Sequence, residues 1–195
     1  MKKALYFLVF LVLTLSFTPV LSAKNIEIKE NPNNYQVTIP AGSLFEALFM
    51  YQISSEYNNV GDGVELIMPS ALKYGDLTLI EKDTKFVGKI IKLQRAIIGQ
   101  NGYVQILFDE IVFPDGKSGK ILAHVWTKEN TGIIGGDLTQ HTKYKKMPHY
   151  IQGIGGVAQL IPVGPRVMGT ETYILSGAQF RLVLDEDLSL VLPKE

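Results

Sequence analysis

From Tyr35 onward the chain alternates apolar and polar residues with a period of two. Tyr35, Val37 and Ile39 are separated by Gln36 and Thr38, the pattern of a strand with one buried face. Residues 24–36 are polar, and Asn31-Pro32-Asn33-Asn34 is turn chemistry, so a leader strand and a loop precede it. Leu44–Tyr57 has no strict period; it is read as a strand, with a short helix as the alternative. Asn58–Gly63 turns, Val64–Pro69 is a short strand, and Tyr74-Gly75-Asp76 turns again before Leu77 and Leu79. Phe86–Leu93 and Val104–Phe113 are longer strands joined across Gly99–Gly102. Both are apolar at nearly every position, which predicts packing on two faces. Pro114-Asp115-Gly116 turns the chain through Lys117–Gly119 into Ile121–Thr127, and residues 170–192 close it with a long apolar alternation. Turn signals recur about every 8–12 residues with no long helical segment, so the fold class is all-β, a single barrel or sandwich. The predicted core draws on Ile90, Leu93, Val104, Ile106, Phe108, Phe180, Leu182 and Leu184.

Residues 128–168 break this rhythm. Seven glycines fall there (132, 135, 136, 153, 155, 156 and 164), around a basic and aromatic run of Lys143, Tyr144, Lys145, Lys146 and Tyr150. Ile151, Ile154, Val157 or Ala158, and Ile161 recur at helical spacing and stop at Pro162, so a partly helical insertion is expected. So many glycines make a compact fold costly in conformational entropy, while the apolar residues still need burial. About three helical turns are too short to span a bilayer. Such a helix could lie in a membrane interface or pair with its copies, with Gly153 and Gly156 allowing close approach. The lysines just before it could meet lipid headgroups. The candidate membrane or partner contacts are Lys143, Lys145, Lys146, Tyr150, Ile151, Ile154, Val157, Leu160 and Ile161. The alternative is a flap folded over one barrel end.

The start of the chain bears on its compartment. Lys2 and Lys3, the apolar run Ala4–Phe17, and Pro19 before the small residues to Ala23 read as an export signal, residues 1–23. An uncleaved anchor is the alternative. Removing that segment leaves 195 − 23 = 172 residues in one domain, 24–195, with a formal charge of 17 − 19 = −2. This balance argues against nucleic acid as a partner. The chain has no cysteine, hence no disulfide framework and no lipid anchor on cysteine. That suits a periplasm.

Catalytic and metal-binding chemistry finds little purchase. His124, His141 and His149 are too far apart for a zinc set, and no cysteine or nearby carboxylate completes one. Asp109 and Glu110 are neighbours on a strand and face opposite ways, and Asp185–Asp187 reads as a turn or bulge between strands. Ser43, Ser70, Ser118 and Ser176 lack a nucleophile elbow, and no Lys-Ser or Lys-Thr follows Gly153, Gly155 and Gly156. No cofactor, metal or catalytic residue is assigned.

Five segments occur in an order that resembles a known family. They are Ile39-Pro40-Ala41-Gly42-Ser43; Leu79–Gly88; Pro114-Asp115-Gly116-Lys117-Ser118; Ile174–Gly177 with Phe180-Arg181-Leu182; and Asp187-Leu188-Ser189-Leu190. The set resembles the TrbI-like conjugation proteins, the tenth VirB component of type IV secretion systems, and covers nearly the whole mature chain. Glu81 and Asp83 stand where that family has proline and glycine, and residues 128–168 occupy the place of its two-helix antenna. The resemblance implies a non-catalytic ring or scaffold subunit of an envelope complex, in the periplasm and in contact with the outer membrane. It also implies other copies and further secretion subunits as partners. The rival reading is a monomeric periplasmic binding domain for a polysaccharide or peptide, with Trp126, Tyr144 and Tyr150 lining a groove.

Overall fold

The computed structural model describes residues 25–138, 143–151, 155–163 and 167–194. The strands run in chain order from β1 (Glu27–Glu30) and β2 (Asn34–Ile39) through β3 (Leu44–Phe49), β4 (Ile53–Ser54) and β5 (Gly63–Ile67). A small hairpin of β6 (Leu72–Tyr74) and β7 (Leu77–Ile80) precedes the long strands β8 (Lys85–Gln94), β9 (Tyr103–Val112) and β10 (Ser118–Val125). Then come β11 (Ile133–Gly135), β12 (Lys143–Ile151) and β13 (Gly155–Val163), followed by β14 (Tyr173–Ile174), β15 (Gln179–Leu184) and β16 (Leu188–Pro193). Among the described residues there is no helix.

Six strands close on themselves in the order β10-β15-β3-β5-β8-β9, with β9 returning to β10, so the all-β expectation resolves to a closed barrel. Closure leaves Phe86, Val104, Ile106, Phe108, Ile111 and Leu182 wholly buried in the lumen. Of the predicted core, Ile90, Val104, Ile106, Phe108, Leu182 and Leu184 are buried, whereas Leu93 and Phe180 are half-buried at its margin. β8 and β9 are not packed on two faces: buried positions alternate with more exposed ones until bulges at Ile91 and Asp109, and the second bulge leaves Asp109 and Glu110 both exposed rather than on opposite faces as the sequence predicts. The extra apolar residues, such as Val87 and Ile91, lie on the outer surface.

The two ends of the domain meet. The Ala41 amide donates to Asp187 Oδ1 at 2.8 Å, Gly42 N–H to Leu184 O at 2.8 Å, and Leu184 N–H to Ser43 O at 3.0 Å. β16 pairs with β2, with Leu188 opposite Ile39, in a three-stranded sheet β1-β2-β16 that adds Val37, Ile39, Leu188 and Leu190 to the core. The Pro114 turn closes β9 onto β10 through Phe113 N–H to Lys117 O, 2.8 Å, with Gly116 at φ 84°. Lys117 Nζ lies 2.6 Å from Asp115 Oδ2, and this bond holds the Asp115 carboxyl below its usual range.

Residues 128–168 do not fold as the helical spacing predicts. Their first part returns to the barrel, where β11 pairs with β9. β12 and β13 then form an antiparallel hairpin, with Lys143 opposite Val163, Lys146 opposite Leu160 and Ile151 opposite Gly155. Short apolar runs carry both periods at once, and glycine costs a helix about 1 kcal/mol per position. Here the two-residue period prevails.

Candidate functional site at the root of the hairpin

The hairpin leaves the barrel after Leu138 and returns at Val167, at the end where β8 gives way to β9. Asn101, in that β8–β9 loop, holds both roots. Its N–H donates to Asp137 O at 2.8 Å and its Nδ2 to Gly136 O at 3.2 Å. Its Oδ1 accepts from Thr170 N–H and Oγ1 at 2.9 and 3.1 Å. Gly99 N–H to Val167 O and Gly169 N–H to Ile97 O, 2.9 and 3.0 Å, complete the mooring.

Beneath this lies a buried polar layer. Ser55, fully buried, donates to Glu171 Oε2 and accepts Thr172 N–H at 2.9 Å, while Glu171 Oε1 takes the Ala96 N–H at 2.9 Å. Thr172 Oγ1 donates to Gly102 O at 2.6 Å. The backbones approach so closely that a Cβ at Gly169 would overlap Gln100 O, and one at Gly135 would overlap Thr172 Oγ1. Gly135, Gly136, Asp137 and Leu138 all have positive φ, and for leucine, at 76°, that conformation is strained. Four left-handed residues in succession turn the chain from β11 towards the hairpin.

Above the polar layer the root is apolar and open to solvent. Ile97, Ile98, Leu138, Val167 and Met168 form a collar, each between 40% and 57% exposed. A separate cleft of about 320 Å³ at the same end is lined by Gln94, Gln100, Asn101, Tyr103, Ile133, Gly136 and Asp137. Nearby, the Tyr173 hydroxyl donates to Glu56 Oε2; that bond, with lesser help from burial, pushes the phenol up to about 12. The same carboxylate raises Tyr57.

Of the sequence candidates, Lys143, Lys145, Lys146, Tyr150 and Ile151 lie on β12, and Val157, Leu160 and Ile161 on β13; Ile154 falls outside the described residues. Trp126 follows β10 on the barrel wall, its N–H on Arg181 O at 2.7 Å, while Tyr144 and Tyr150 belong to the separate hairpin sheet. The collar was not foreseen, although Ile97-Ile98 directly before a Gly-Gln-Asn-Gly turn is its signal. His124 is instead a tether, its Nδ1 2.8 Å from Asp185 Oδ1 and its Nε2 3.1 Å from Asn130 Oδ1. Among the described residues no cluster of three metal-binding side chains occurs.

No family model and no curated protein matches the chain. Among solved structures it is similar to ComB10 of the Com type IV secretion system of Helicobacter pylori. The match has 14% identity and a TM-score of 0.45, and covers 81% of this chain and 93% of that one.

Proposed function

We propose that this chain is a non-catalytic structural subunit of a type IV secretion or conjugation-like envelope complex. In this reading it is exported to the periplasm and assembles with its own copies and other subunits. The hairpin, through Lys143, Lys145, Lys146, Tyr150, Ile151, Ile154, Val157, Leu160 and Ile161, supplies the contact with a partner or the outer membrane.

The observation that carries this reading is a two-stranded ribbon that, among the described residues, pairs only with itself, rooted beside a group of exposed apolar side chains. A lone hairpin is marginal in water, and contiguous exposed apolar surface marks an interaction site. The ordered motifs also support this reading, because each falls where backbone geometry is demanding. Ile39–Ser43 and Asp187–Leu190 are bonded to each other, and Pro114–Ser118 is the β9–β10 turn. Asp83, at the family's glycine position, has φ 64°, the conformation glycine adopts without strain.

Photo-crosslinking in cells tests this reading. A crosslinker at Ile98 or Met168 is expected to capture envelope proteins or further copies, and one at Lys73, in β6, is not. Equal capture at all three positions, or none, would refute the collar as the contact.

A further inference from the structure

A second open feature lies at the other end of the barrel, where β10 and β15 part. Those strands pair only over Ala123–Val125, and Asp185 N–H reaches Leu122 O at 2.8 Å. Beyond that point Asp185–Asp187 bends away to join β2 as β16. Ser118–Lys120 therefore pairs with β9 on one edge, up to a bulge at Ile121 and Leu122, and, among the described residues, with no strand on the other.

Hydrogen-bond phase tells which groups face the gap. Phe113 and Lys117 are a bonded pair, so Ile111 and Gly119 are the next. Ser118 and Lys120, opposite Val112 and Glu110, thus aim their N–H and C=O groups outward, two donors and two acceptors. The gap is a cleft of about 720 Å³ with Ile121 and Leu188, both buried, at its base. Asp109, Glu110, Glu186 and Asp187 line it with Lys120, a formal charge of 1 − 4 = −3. Lys89 pairs with Asp109 at 3.3 Å, and Asp187 also holds the Ala41 amide, so the cleft stays acidic when both are counted.

We propose that this seam is a strand-addition site for an extended, basic segment of a different protein. The segment pairs with the outward groups of Ser118 and Lys120 and sets lysine or arginine against Asp109, Glu110 and Glu186. Backbone pairing supplies affinity, and the acidic rim selects charge. Within this chain, β1 is acidic and would be repelled. The lysine-rich β12 leaves from the opposite end, roughly 20 Å away at the usual rise over Tyr103–Asp109, and Pro148 interrupts its N–H pattern. The proposal stands apart from the role of the hairpin.

The test titrates the intact mature protein with three peptides, reading backbone amide shifts. One alternates Lys and Val over six residues, one alternates Glu and Val, and one is the basic peptide N-methylated at alternate residues. The basic peptide should shift Ser118–Leu122, and the other two should bind about tenfold more weakly or less. Glu110→Lys with Glu186→Lys should abolish binding, as should Ser118→Pro, which removes an outward donor and leaves the bonds to β9 intact. No binding, equal binding of the N-methylated peptide, or shifts centred elsewhere would overturn the proposal. Shifts of the same amides with protein concentration alone would do so too, by assigning the seam to a second copy.

Discussion

At the scale of single residues, most of the demanding positions are glycines, asparagines and buried rings. Gly169→Ala forces a Cβ into Gln100 O, which the rigid Asn101 mooring cannot yield to cheaply. A loss of about 1–3 kcal/mol is expected, read as a melting temperature lower by about 2–4 °C per kcal/mol. Phe108→Ala empties the lumen and should cost about 3–5 kcal/mol, whereas Phe180→Ala, at the margin and edge-on to Phe49 at 5.2 Å, should cost clearly less. Denaturant unfolding of the two variants checks the order, and equal losses would contradict the barrel core described here. Tyr173 gives a pH signature. Its folded pKa is raised above 10 to about 12, so its bond to Glu56 contributes fully below pH 10 and is lost as pH climbs towards 12. Absorbance titration should show a late-ionising component that shrinks by one tyrosine in Tyr173→Phe; an unchanged titration in that variant would exclude the assignment.

At the scale of elements, the strands of the barrel were largely legible because one buried face imposes a period of two. Val104, Ile106 and Phe108 alternate with Gln105 and Leu107 and fall inward as read. Legibility failed in two ways. The outer wall of β8 holds Val87 and Ile91, so composition suggested two buried faces where there is one. In the insertion, Ile151, Val157 and Ile161 fit a helical stripe and a strand equally well, and only the hairpin partner distinguishes them. The collar was illegible for a third reason. Ile97, Ile98, Val167 and Met168 are 70 residues apart in pairs (168 − 98 = 70), and the bridge between Ile98 and Met168, with the backbone bonds from Gly99 to Val167 and from Gly169 to Ile97, unites them. Replacing residues 139–166 by a short Gly-Ser link should leave the far-ultraviolet β signal of the barrel intact, since among the described residues β12 and β13 pair only with each other. Loss of the whole fold would instead make the hairpin part of the core.

At the scale of the whole molecule, the barrel is a scaffold with two open features at opposite ends. One is the moored hairpin with its apolar collar, the other the acidic seam beside β10. The function proposed above places assembly at the hairpin end. Mass measurement in solution, by sedimentation or light scattering across a range of concentrations, tests it on the mature chain and on the chain lacking residues 139–166. Multimers are expected for the mature chain and a folded monomer for the shortened one. Monomers in both, or the same multimer in both, would contradict it.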